Sequence, residues 1–208
     1  APEAAAGTTD DSAPASPCAE VVLTAVDSVV AEYRLASLRA GWPFVPAGTE
    51  PPEFQPRNRV EELALELFNG ELVWLEAMNE LGAYYEERGE LERALEVACA
   101  MADEMIQSPY PLLAAGRLLT ALGRYEEAAG IFQQANAREP TAYGFFMLGV
   151  SLLHLGDTAG AETALRRAVI LGPSDSRPRR LLDALRALGP DHPELEALLA
   201  ELQASGSR

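Results

Sequence analysis

Residues 109–140 read PYPLLAAGRLLTALGRYEEAAGIFQQANAREP, and residues 142–173 read AYGFFMLGVSLLHLGDTAGAETALRRAVILGP. The two stretches align at a step of 33 residues, so that glycine, alanine and proline recur at matching places. Beyond them the spacing continues, because four glycines follow one another at steps of 34, 33 and 33 residues: Gly89, Gly123, Gly156 and Gly189. Self-similarity near 34 residues predicts a solenoid of helix–turn–helix units.

The composition favours helices over strands. Hydrophobic residues make up 48% of the 208 residues and aromatic residues only 7%, so Ala and Leu must supply most of the core. These two residues lead the helix-propensity ranking. We therefore predict an all-α solenoid over residues 58–204, with units at about 75–108, 109–141 and 142–174 and a capping pair at 175–204. Apolar periodicity predicts helices near residues 71–88, 90–107, 110–122, 125–138, 142–155, 158–171, 175–188 and 193–203.

The first 57 residues have a different character. Residues 1–17 are rich in Ala, Pro, Ser, Thr and Asp and have no apolar periodicity, which predicts a disordered tail or linker. Residues 18–57 are expected to form a helix followed by a Pro-rich strap. The strap must run extended, because residues 42–57 contain five prolines.

The charge limits the choice of partner. The formal net charge is −16, and all 16 basic residues are Arg. Such a chain repels phosphate backbones and anionic lipid surfaces, so we expect no nucleic-acid partner. Residues 59–108 alone carry a net charge of −10, which could steer a basic partner or simply solvate a helical face. The sequence contains no run of 18 apolar residues, and we expect no membrane span.

The repeated units resemble tetratricopeptide repeats, whose pattern is W-x2-L-G-x2-Y, then A-x3-F, then P. The first unit offers Met78, Leu81-Gly82, Tyr85, Gly89, Leu91 and Ala94. The second offers Leu112, Gly116, Leu119, Gly123, Tyr125, Ala128, Phe132, Ala135 and Pro140. The third offers Phe145, Leu148-Gly149, Leu152, Gly156, Ala161, Leu165, Ala168 and Pro173. The resemblance covers residues 72–189, and it departs from the pattern at Met78, where the family usually has Trp.

The resemblance implies a non-catalytic scaffold that binds a protein or peptide. In that family the first helix of each unit lines a concave groove. Carried over, the peptide-binding residues are Asn79, Tyr110, Leu113, Arg117, Tyr143, Phe146, Val150, His154 and Arg179. Either a separate partner fills this groove, or the chain's own N-terminal segment does so with Trp42, Phe44 and Phe54. A clamp for a terminal carboxylate, which in that family uses Lys, is not expected because the chain has no Lys.

Catalysis, cofactors and metals are not expected. The two imidazoles, His154 and His192, are not accompanied by a nucleophile motif, and the chain has no glycine-rich phosphate loop. Cys18 and Cys99 do not form a CxxC pair, so they make no zinc site. A disulfide between them would suit an oxidising compartment, although the sequence does not require it. Cys99 is otherwise expected to be a small buried apolar residue.

An alternative function places the chain inside a larger polypeptide. The stretch WPFVP followed by repeats is similar to the regions behind bacterial esterase-type (SGNH) hydrolase domains, whose catalytic residues would then lie outside these 208 residues. The chain begins with Ala1-Pro2 and no Met, which suggests either a removed leader or a piece of a longer protein. Export to the periplasm and a cytoplasmic location both stay open, as does a third role in self-assembly.

Overall fold

The computed structural model describes Cys18, Arg59, Glu62, Leu63, Glu66 and residues 74–190 and 192–205. Over the continuous part it contains eight helices and no strand: α1 (Trp74–Glu87), α2 (Leu91–Glu104), α3 (Tyr110–Ala121), α4 (Tyr125–Arg138), α5 (Ala142–His154), α6 (Thr158–Leu171), α7 (Ser176–Leu188) and α8 (Pro193–Ser205). Consecutive helices pack against each other, and α3 also contacts α5. The predicted all-α solenoid is confirmed.

Several predictions concern residues outside the described part. They are the tail at 1–17, the helix and strap at 18–57, and the apolar plug of Trp42, Phe44 and Phe54. The boundaries of the predicted domains and units stay predictions as well. Of the region before Trp74, the structure shows Arg59, Glu62, Leu63 and Glu66 in helical conformation, with Leu63 fully buried.

In each of the first three units, the first helix ends in a glycine turn with the same backbone conformation and the same hydrogen bond. Gly89, Gly123 and Gly156 have φ of 72°, 74° and 78°, a conformation that glycine adopts without steric cost. The residue after each glycine donates its N–H to a helix carbonyl at 2.9 Å, as Asp157 does to Leu152. This bond satisfies a carbonyl at the helix end. Each following helix then begins two residues after its glycine.

The fourth turn differs because proline follows the glycine. Gly189 has φ of 82° and donates its own N–H to the Leu185 carbonyl at 3.0 Å. Pro190 has no N–H, so the bond that Asp157 makes in the third turn cannot form here. Gly189 takes ψ of 170°, and α8 begins only at Pro193. The chain therefore leaves α7 by a route that the three earlier turns do not use.

Two helical glycines allow close contact within a unit. A Cβ added to Gly116 would lie 2.7 Å from the Phe132 ring, and one added to Gly149 would lie 2.8 Å from Leu165 Cγ. Phe132 and Leu165 are completely buried. The large side chain of the second helix thus fills the space that the missing Cβ leaves on the first helix.

A disulfide joins Cys18 to Cys99 of α2, with the two Cα atoms 5.7 Å apart. Both cysteines are buried and belong to the same hydrophobic core as the helices of the solenoid. The bond settles the pairing that the sequence left open, and it fixes a residue near the start of the chain to the first described helix pair.

Candidate functional site: the concave groove

The first helices of three successive units share one cavity. It has a volume of about 410 Å³, and we call it the groove cavity. Its wall is built mainly from residues of α3 and α5 and the turn after α3, with one residue each from α4, α7 and α8. The lining residues are Arg117, Thr120, Ala121, Leu122, Gly123, Tyr125, Tyr143, Phe146, Met147, Arg177 and Leu202.

The floor of the groove cavity is aromatic. Phe146 is only 2% exposed, and Tyr143 packs partly buried against the same core. The guanidinium carbon of Arg177 lies 5.3 Å from the centroid of the Phe146 ring, a distance at which cation and ring attract each other. The cavity therefore combines an apolar floor with a cation placed over it.

Arg177 is held in place by Asp175. Its Nε and Nη2 atoms donate to the Asp175 carboxylate at 3.0, 3.1 and 2.7 Å. The same carboxylate accepts from the Arg177 backbone N–H at 2.9 Å and so caps α7. The hydrogen bonds from Arg177 lower the pKa of Asp175, although partial burial opposes this shift. The pair is thus a preorganised unit in which a cap residue also orients a groove cation.

Arg117 is held by the preceding unit. Its Nη2 atom donates to both carboxylate oxygens of Glu86 at 2.6 and 2.7 Å, from α3 to α1. Arg117 and Arg177 both act electrostatically on Tyr143. Burial raises the pKa of the Tyr143 hydroxyl, and the two positive charges lower it. A neutral phenol therefore lies within the electrostatic reach of two guanidinium groups from neighbouring units.

Helix α8 lies along the groove. Leu202 lines the groove cavity with Tyr143 and Phe146, which are near the start of α5. Glu196, near the start of α8, acts electrostatically on His154 at the end of α5. Partial desolvation of the largely exposed His154 ring lowers its pKa, and the Glu196 charge opposes that shift. The later part of α8 therefore lies near the start of α5 at the groove cavity, and its earlier part lies within electrostatic reach of the end of α5, as in an antiparallel arrangement.

Of the nine predicted site residues, the structure brings Arg117, Tyr143 and Phe146 together in the groove cavity. Leu113 and Val150 are buried in the core instead. Asn79 lines a neighbouring cavity of about 300 Å³ beside Glu86. The remaining three are exposed: Tyr110 at the start of α3, Arg179 on α7, and His154, which stacks on Tyr125 with ring centroids 3.9 Å apart.

Sequence reasoning missed Arg177, Tyr125 and Leu202. Arg177 could have been identified from its position. It is the second residue of α7, and the predicted site residue Tyr143 is the second residue of α5. Leu202 had none in the repeat pattern, because α8 was expected to be a solvating cap.

A second cavity, of about 650 Å³, lies between α4 and α6. Arg167 lies over the Phe145 ring there, at 5.4 Å, and Asn136 is a buried wall residue. The Asn136 Oδ1 atom accepts from the Thr141 backbone N–H at 3.3 Å, and its Nδ2 atom has no hydrogen-bond partner among the described residues.

Among the described residues there is no group of three or more His, Cys, Asp or Glu side chains placed to hold a metal ion. In the same part of the chain, no helix has both the length and the apolar character needed to cross a membrane.

Of the comparisons with known proteins, the family model agrees with the repeat pattern. No curated protein matches the sequence. A solved structure described as the crystal structure of a T3SS complex from Aeromonas hydrophila is similar, with 19% identity, a TM-score of 0.48, and coverage of 69% of this chain and 90% of that chain. A family model described as tetratricopeptide repeat matches residues 113–176, which include α4, α5 and α6. The predicted repeat type is therefore confirmed for residues 113–176, which match the tetratricopeptide repeat.

Proposed function

We propose that this chain is a non-catalytic scaffold that binds a segment of another protein in the groove cavity. Tetratricopeptide repeats generally mediate protein–protein interaction. The observation that carries the proposal is the pair of cations, Arg117 and Arg177, each held by a carboxylate beside the aromatic floor. Side chains that are already ordered lose little entropy when a ligand binds.

The chemistry of the groove cavity suits an amphipathic segment. Tyr143 and Phe146 offer an apolar surface for the ligand's hydrophobic side chains. Arg117 and Arg177 retain N–H groups that can donate to carbonyl or carboxylate oxygens of the ligand. An apolar floor with convergent donors at its rim is the usual composition of a peptide groove.

Selection from a displayed peptide library, with the full chain as bait, tests the proposal. Recovered peptides should lose binding to Arg177→Ala and to Arg117→Ala, and should keep it with the control Arg166→Ala. Arg166 lies on α6, is exposed, and pairs with Glu162 at 2.8 Å. If no peptide is recovered, or if the peptides bind all three variants equally, the groove cavity is not the binding site.

We also propose that the chain works in an oxidising compartment. The Cys18–Cys99 disulfide supports this, because such bonds persist in exported proteins and are rare in the cytosol. Protein taken from its source and alkylated without a reductant should show no modified cysteine. Modification of both thiols under those conditions would place it in a reducing compartment.

A further inference from the structure

We propose that α8 is a built-in occupant of the concave groove, and that the partner is an acidic amphipathic helix which displaces it. This partner helix would carry apolar residues at the spacing of Leu195, Leu199 and Leu202. The inference rests on the proposed function and deepens it, because it names the class of ligand and the way its access is regulated.

The first argument is the route by which α8 leaves α7. In the earlier turns the residue after the glycine bonds back to its helix, as Asp157 does to Leu152. Pro190 cannot make this bond, and Pro193 begins α8. The fourth turn therefore lacks the backbone hydrogen bond that precedes the second helix of each earlier unit. In the structure α8 lies on the groove side.

The second argument is the pattern on α8 itself. Leu195, Leu199 and Leu202 are 1%, 6% and 2% exposed and lie on one helical face at i, i+4 and i+7. Glu196 and Glu201 are exposed. This is the pattern by which an amphipathic helix binds in a hydrophobic groove. Helix α8 thus presents to the groove what a helical ligand would present.

The third argument is complementary charge. Helix α8 carries Glu194, Glu196 and Glu201 and no basic residue. The facing helix α7 carries Arg179 and Arg180, besides Arg177 and Arg186, which pair with Asp175 and Glu162. One pair is formed directly, with Arg180 Nη2 3.3 Å from Glu201. An acidic helix is therefore the ligand that matches the charge of this side of the groove.

The attachment of α8 is suited to exchange. Its ion pair to Arg180 is exposed on both sides, and such pairs contribute little to stability. Three leucines are buried on one face and Leu198 is partly buried, and the linker that follows Gly189 joins α8 to the solenoid. While a tethered occupant fills the groove, a competing ligand cannot bind. The apparent association constant of that ligand is therefore its intrinsic value multiplied by the fraction of molecules in which the groove is open.

The experiment uses the full chain and a synthetic helix of residues 193–205, acetylated, amidated and fluorescently labelled. In Leu202→Glu the added charge should expel α8 from the groove. The control Ala200→Glu adds the same charge at an exposed position on the same helix. We expect the peptide to bind Leu202→Glu at least about tenfold more tightly than the parent or Ala200→Glu. A second change, Arg177→Ala, should reverse this gain.

Equal affinity for Leu202→Glu and Ala200→Glu would overturn the inference. If the library peptides still depend on Arg177 in that case, the groove binds ligands while α8 does not regulate it. If they do not, the proposed function fails as well. A concentration-dependent dimer of the parent, measured by light scattering, would also overturn it, because α8 would then fill the groove of a second copy.

Hydrogen exchange tests the displacement of α8 on the parent protein, without any substitution in the chain. Saturating unlabelled peptide should speed the exchange of α8 amides while α7 amides stay protected. A peptide with Glu at the positions of Leu199 and Leu202 should have no effect. Unchanged α8 protection at saturating peptide would overturn displacement.

Discussion

Gly116 controls how closely α3 approaches α4. Its missing Cβ leaves the space that the buried Phe132 ring occupies, so this glycine is required by packing and not by its backbone angles. Gly130, in α4, has nothing within 4 Å of an added Cβ. Substitution by alanine is therefore expected to change the free energy of unfolding in opposite directions at these two glycines.

Gly116→Ala should lower the free energy of unfolding by about 1–3 kcal/mol, because Phe132 is enclosed and has to shift. Gly130→Ala should raise it by about 0.5–1 kcal/mol, since alanine is the better helix former. Urea denaturation followed by circular dichroism measures both. A neutral or stabilising Gly116→Ala would show that the helices can separate without cost.

Asp175 links acid stability to the geometry of the groove. Hydrogen bonds from Arg177 lower the pKa of Asp175 in the folded state, and it caps α7 at the same time. A carboxylate with a lowered pKa adds stability above its unfolded pKa of about 4, and this stability is lost as the pH falls through the folded value. The loss therefore belongs to the range below pH 4.

We expect Asp175→Asn to be less stable than the parent by about 1 kcal/mol at pH 7. The difference should shrink as the pH is lowered from 4 to 2, because the parent's carboxylate becomes protonated there. Urea midpoints at pH 7, 4 and 2.5 measure the trend. A constant difference across these values would mean that the charge of Asp175 and its pairing with Arg177 are not the cause.

At the scale of the helices, the N-cap of α6 contributes to the free energy of unfolding, and this contribution can be measured by substituting one residue. Asp157 accepts the Gly160 backbone N–H at 2.9 Å, which satisfies one donor at the start of the helix. Asp157→Ala should lower the free energy of unfolding by about 1 kcal/mol, and Asp157→Asn should recover most of it. If Ala and Asn prove equally destabilising in urea denaturation, the side-chain acceptor is not the cause.

The helices were predictable because the signals that make them are local. Apolar periodicity and glycine turns placed α3 through α7 within a few residues of their observed bounds. The groove was less predictable. Arg117, Tyr143 and Phe146 were identified through the family resemblance, which supplies the concave face. Leu113 and Val150 are buried, because the first helix of a unit also packs on its neighbours and the pattern does not separate its faces.

The position of α8 was not predictable from the repeat. Gly189 has the spacing of the earlier glycines, and the sequence indicated a capping pair at 175–204 with α8 as a solvating helix. Two features change the outcome: Pro190 has no N–H, and Leu202 lies at the groove cavity that α5 residues also line. A tertiary contact of this kind has no local sequence pattern.

For the whole molecule, the disulfide is expected to stabilise the fold against unfolding. Cys18 and Cys99 are 81 residues apart, and closing a loop of that length restricts the unfolded chain by about 4 kcal/mol on the loop-entropy estimate. Repeat stacks are stabilised mainly by neighbouring units, so the effect should be largest near α2.

Reduction with dithiothreitol should therefore shift the urea midpoint of the parent to a lower concentration. Cys99→Ala should show a low midpoint without reductant and no further shift with it. Identical midpoints for the oxidised and reduced parent would show that the bond does not stabilise the fold.

The same bond changes what a protease can release. A single cut of the backbone anywhere between residues 18 and 99 leaves two pieces that remain covalently joined through Cys18 and Cys99. On a non-reducing gel such a nicked chain keeps its full mass of 22.3 kDa, and it separates into two bands only after thiol treatment. A processing event in this region would therefore leave the early part of the chain attached to the solenoid until a reductant frees it.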